Sequence, residues 1–213
     1  MASHLEFCRA NTATTDNSLV VDIPTCITAL LVDDETSAVQ SLTVGGPVSL
    51  PTFHITVGHI AEEGLGRWAE SFRVIQAFEI WRSLGGWVTE HRPALGPGIR
   101  ERIAWAATVT EEDALAERRF RASVVERLDE LLGRDGAVIL PTAPGPAPRR
   151  GLAPEALDDH RRRAISLLCI AGLAGLPQVT LPRATLESCP LGLSLIGPRG
   201  SDLMLLQLAR RLA

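Results

Sequence analysis

Ala137-Val138-Ile139-Leu140-Pro141-Thr142-Ala143-Pro144 is the stretch on which the fold turns. Four apolar residues follow Asp135-Gly136 and end at a proline. The run is too short for a helix and lacks the alternation of a half-exposed strand. It reads as a strand buried on both faces, the pattern of a parallel sheet covered by helices on each side. The prolines at 141, 144, 146 and 148 make the following segment an extended loop, either a sheet-edge connector or a proline-rich ligand for another domain.

Working outward from this strand, Thr110-Glu111-Glu112-Asp113 opens a helix. Thr110 stands at the N-cap, with Asp113 three residues on in a near capping-box arrangement. Leu115, Phe120, Val124, Leu128, Leu131 and Leu132 form its apolar stripe, and Gly133 ends it. Downstream, a helix is expected from about Pro154 to Leu173, broken by Gly175-Leu176-Pro177. Strands follow over Gln178 to Pro182 and Leu191 to Ile196, and Ser201-Asp202 caps a last helix through Leu212. Strand, helix, strand, strand, helix is an α/β order.

Upstream, Trp68, Phe72, Ile75, Phe78 and Ile80 recur at helical steps between Arg67 and Trp87, with Gly85-Gly86 as a candidate stop. Ala29 to Val44 looks helical, Leu19 to Ile23 is a short apolar run ended by Pro24, and Pro47 to Thr56 looks β-like. Residues 1–17 show neither period and read as a loose N-terminus, leaving residues 18–213 as the folded portion.

Composition narrows the function. The formal net charge is -4, so no basic excess is available for a phosphate backbone and nucleic-acid binding is not expected. Arg161-Arg162-Arg163 follows Asp158 and Asp159 and reads as a solvated helix face. The cysteines at 8, 26, 169 and 189 include no C-x-x-C pair, which suggests a reducing compartment. No apolar run reaches membrane-spanning length and the start has no leader-like pattern, so a cytoplasmic location without membrane contact is expected. All 21 basic residues are arginine, and tyrosine is absent. A lysine base or a tyrosine acid is therefore not available from these residues.

The remaining motifs are weak. Gly64-x-Gly66-x-x-Ala69 matches a loose dinucleotide fingerprint, but Glu62 and Glu63 would repel a pyrophosphate. His54 and His59 lack a carboxylate completing a metal site. Asp158 and His160 are joined to no serine, and no G-x-S-x-G elbow is present. Tryptophans 68, 81, 87 and 105 suit core packing better than a ligand cage. Neither a cofactor nor a metal is indicated.

The opening stretch, taken with Ala171-Gly172-Leu173-Ala174-Gly175-Leu176-Pro177-Gln178-Val179-Thr180-Leu181-Pro182 and with Pro190-Leu191-Gly192-Leu193-Ser194-Leu195-Ile196-Gly197-Pro198-Arg199-Gly200-Ser201-Asp202, resembles the C-terminal part of the amidase-signature family. Ser71-Phe72-Arg73-Val74-Ile75-Gln76-Ala77-Phe78-Glu79-Ile80-Trp81, followed by Gly96-Pro97-Gly98-Ile99 and Arg102, is similar to the amidases related to indole-acetamide hydrolase. The likeness covers about residues 20–213. It implies a partial amidase-signature fold, with a mixed β-sheet flanked by helices.

The family activates a serine through a second serine and a lysine, and binds the oxyanion with backbone N–H groups of a Gly/Ser-rich loop. Neither the lysine nor such a loop is present here, so the resemblance transfers no catalytic residue. It does transfer a pocket wall: Pro141, Thr142, Ile165, Cys169 and Gly172 would flank the acyl side of a small carboxamide substrate. In the glutamine-dependent tRNA amidotransferase A subunits, an acidic residue near the Ile165 position holds the glutamine amine. Isoleucine cannot pair with a buried ammonium, which favours an apolar amide. The expectation is thus a truncated amidase-type hydrolase, inactive alone, that self-associates or pairs with an N-terminal-half chain. The alternative is a non-catalytic binding or assembly module on the same scaffold.

Overall fold

A computed structural model describes residues 6–12, 20–21, 43–44, 48–49, 53–61, 63–96, 98–186 and 188–212. The strands are β1 (Glu6–Thr12), β2 (Val20–Val21), β3 (Thr43–Val44), β4 (Val48–Ser49), β5 (Phe53–His59), β6 (Val138–Pro141), β7 (Gln178–Leu186) and β8 (Cys189–Ile196). The helices are α1 (Leu65–His91), α2 (Ile99–Ala106), α3 (Glu111–Leu132), α4 (Pro154–Ala174) and α5 (Asp202–Leu212). Apart from its last two residues, the expected helix over Ala29 to Val44 lies outside the described residues. Thr43 and Val44 themselves form a strand.

Six strands make one sheet in the order β3-β7-β8-β6-β1-β5, and β2 pairs with β4. The α/β character is as expected, but the strand direction is not. Every described pairing is antiparallel, including both neighbours of β6. Burial of β6 on both faces reports coverage from two sides, and that coverage does not require parallel neighbours. β7 and β8 form a tight hairpin, with Leu186 opposite Cys189 and Ser188 in the left-handed region at φ 62°. Residues Glu6–Thr12 also depart from the loose terminus expected for 1–17. They pair with β5 along seven residues and with β6 at Cys8 and Arg9. That order comes from distant partners, which no local period encodes.

α1 packs on α3 and α4, and α5 packs on β7 and β8. The core between them includes Trp68, Leu128, Leu140, Ile170, Leu195 and Leu205, each at most 1% exposed. α1 runs for 27 residues, straight through the glycines expected to stop it. A helical glycine costs only about 1 kcal/mol relative to alanine, less than a well-packed helix recovers. The actual end is Arg92, left-handed at φ 43°, whose N–H donates to Val88 before Pro93. α3 begins and ends as its sequence indicates, at Thr110 and Gly133. Leu115, however, is exposed and does not belong to its buried stripe. Of the four tryptophans, Trp68 is core, while Trp87 and Trp105 are exposed. Ser201 does not cap α5 through its side chain. Its buried hydroxyl has no hydrogen-bond partner among the described residues, while its carbonyl accepts from Leu205 at 2.9 Å.

The arginines work as long-range ties. Arg67 makes two bonds to Glu117, at 2.7 and 3.1 Å, and stacks 3.9 Å over Phe120, joining α1 to α3. Arg121 donates to the Leu173 carbonyl and Arg199 to the Ala174 carbonyl, both at 2.6 Å. Two guanidinium groups thus satisfy the last turn of α4 at the negative end of its dipole. Gly175, at φ 68°, then turns the chain toward β7.

Candidate functional site

A groove of about 450 Å³ opens between α1, α2 and α4. From α1 it takes Gly66, Ala69, Glu70 and Arg73, and from α2 it takes Arg102. Asp158, Arg161, Arg162, Ile165 and Ser166 of α4 close the other side. The glycine and alanine on α1 carry little side-chain bulk, which leaves room between the helices. Gly172 shows how close α1 comes farther along the seam, since a Cβ there would stand 3.1 Å from Phe72.

The expected wall residues fall in two places. Ile165, Cys169 and Gly172 follow one another at i, i+4 and i+7 along α4. Of these three only Ile165 lines the groove. Gly172 is exposed and lies against Phe72 of α1. Cys169 is 1% exposed, and burial pushes its thiol up to about 12. Its Sγ donates to the Ser166 carbonyl at 3.4 Å, so it is a packed core group rather than a nucleophile.

Pro141 and Thr142 lie at the end of β6, beside a set of polar side chains centred on Ser194. Thr142 Oγ1 lies 2.7 Å from the fully buried Ser194 Oγ, Gln178 Nε2 donates to Ser194 Oγ at 2.8 Å, and Thr180 Oγ1 is 3.3 Å away. The Thr142 N–H donates to Gly192, where a Cβ would come within 2.7 Å of Thr142 Oγ1.

Charge dominates the groove. Arg161 pairs with Asp158 at 2.9 Å, and Asp159 takes Arg162 and Arg163. The Arg162 hydrogen bond, aided by the nearby Arg163 charge, holds the Asp159 carboxyl below the usual range. The Arg161 and Arg162 side chains lie on a solvated helix face, as read from Arg161-Arg162-Arg163, whereas Arg163 is partly buried and its Nε is covered. Arg73 stands 5.2 Å over the Trp105 ring. Ile165 is therefore an apolar residue among charged ones. Arg73, Arg102 and Glu70 come from two different helices, so no spacing in the sequence marks them as one site.

Such a groove can bind and orient a ligand. It has no activated nucleophile of its own among the described residues. Ser71, Ser123 and Ser166 each donate to a backbone carbonyl, and the Ser194 cluster contains no base. No group of three or more metal-ligating side chains occurs among the described residues. No described helix is long and apolar enough to cross a membrane.

The fold is of an amidase type, as comparison with known proteins shows. No family model matches the chain. It is 38% identical over 145 residues to Amidase 1 of Arabidopsis thaliana, covering 68% of this chain and 34% of that protein. It is 32% identical over 138 residues to the chloroplastic outer envelope protein 64 of Arabidopsis thaliana, covering 65% of this chain and 23% of that protein. A solved amidase structure superposes with a TM-score of 0.61 at 28% identity, over 70% of this chain and 35% of that one. The chain is therefore a relative of the amidase-signature family over about two thirds of its length, and it spans about a third of the length of Arabidopsis Amidase 1.

Proposed function

We propose that this chain is the C-terminal part of an amidase-type hydrolase acting on a small carboxamide, which in intact relatives yields a carboxylic acid and ammonia. In this reading Ile165 and its neighbours in the α1–α4 seam wall the acyl side of the substrate, and Pro141 and Thr142 form a further wall. The proton of a seryl nucleophile needs a base. The observation that carries the proposal is an amidase-type fold in 213 residues that include no lysine. Nucleophile, base and oxyanion donors then come from residues outside these 213, in a preceding segment or a partner chain. The test is ammonia release from benzamide by the purified chain at neutral pH. No rate above buffer is expected, and turnover that follows the chain through purification contradicts the proposal.

Ile165 favours an apolar amide, and the exposed Glu70, Arg73 and Arg102 add charge to the rim of the same groove.

A second reading is a non-catalytic binding or assembly module on the same scaffold, and its support is the similarity to a protein named for the outer envelope. Under it, mixing the chain with the remainder of an amidase restores no turnover.

A further inference from the structure

We propose that the groove between α1, α2 and α4 recognises a carboxylate on its ligand, held by Arg73 and Arg102. The groove's volume of about 450 Å³ lies in the range of small-molecule sites, roughly 300–1,000 Å³. Four arginines line it, and two are paired within α4: Arg161 with Asp158 and Arg162 with Asp159. Arg73 and Arg102 differ. Neither has an ion-pair partner among the described residues. Arg73 is exposed and stands 5.2 Å from the Trp105 ring centre, a cation–π contact that leaves its guanidinium N–H groups open to a ligand.

Among the described residues of the walls, the only other acid is Glu70. The groove thus keeps a positive surplus inside a chain whose formal net charge is -4. A guanidinium presents a planar fork of donors that fits a carboxylate with two parallel bonds, and a neutral amide offers one carbonyl oxygen in its place. Ala69 and Ile165 supply apolar surface beside the charges. The ligand is therefore a small organic carboxylate with a short apolar or aryl body. This rests on the amidase reading for its place in a reaction: the substrate there is an amide that carries a carboxylate of its own.

Benzoate and benzamide separate charge from shape, because they share the ring and differ in the group offered to arginine. Isothermal titration of the 213-residue chain at low ionic strength is expected to give at least about tenfold tighter binding of benzoate. R73Q and R102Q should each weaken benzoate about tenfold and leave benzamide unchanged. E70Q should tighten benzoate, and the unchanged benzamide binding of R73Q and R102Q guards against loss of binding through misfolding. Equal affinity for the two compounds, binding of neither, or benzoate affinity unmoved by R73Q and R102Q overturns the proposal. None of these readouts involves turnover, so failure of the amidase reading, seen in ammonia release, remains distinguishable.

Discussion

Cys169 and Ser194 show how single residues of this chain belong to the core rather than to chemistry. The Cys169 thiol, raised to about 12 by burial, stays protonated where an unfolded chain would ionise near 9. The folded state then holds the extra proton between those values, so this residue's contribution to stability falls as pH rises from about 9 to 12. At pH 8 iodoacetamide should alkylate the exposed Cys189 and spare Cys169 until denaturant is added. Peptide mass mapping checks this, and rapid labelling of Cys169 in the folded chain would contradict it. Ser194→Ala should cost about 1–3 kcal/mol in urea unfolding, because Gln178 and Thr142 lose their shared buried partner. Gly192→Ala should cost a similar amount, about 1–3 kcal/mol, by forcing a Cβ against Thr142 and Thr180. Adding Thr142→Ala should recover part of it. Of the residues expected to wall a pocket, Ile165, placed from its position before Ala-Gly-Leu-Pro, lines the groove, while Cys169 and Gly172 do not. Arg73 and Arg102 were not legible, since helix packing alone brings residues 29 apart to one groove.

The helices whose signals are local were the most legible elements. α3 carries its start in Thr110 and Asp113, whose hydroxyl, carboxylate and backbone groups close a capping box at 2.7 to 3.1 Å. Thr110→Ala should destabilise the chain by about 1 kcal/mol. The Thr110 hydrogen bonds hold the Asp113 carboxyl below its ordinary range. Its contribution is therefore present above the unfolded carboxylate pKa and lost as pH falls through the lower folded value. A double-mutant cycle with Asp113→Asn should be non-additive at neutral pH, since both residues serve one box. In α1 the paired glycines predict opposite outcomes. Gly86 has open space around a built Cβ, so Gly86→Ala should stabilise by about 0.5–1 kcal/mol. A Cβ on Gly85 meets the Trp81 ring at 2.8 Å, so Gly85→Ala should lose that gain in thermal melts. Strand β1 and the antiparallel direction around β6 were illegible for one reason: both depend on partners far along the chain, whereas apolar runs report burial alone.

For the molecule as a whole, an amidase-type sheet and helix layer is joined to a lysine-free sequence. In the proposed function, substrate recognition falls to this chain and proton transfer to residues outside it. The most direct measurement is ammonia release from a small aryl carboxamide by this chain, by the part of Arabidopsis Amidase 1 that it does not match, and by the two combined. Turnover confined to the mixture is the predicted result. Equal turnover by the 213-residue chain alone would contradict the account.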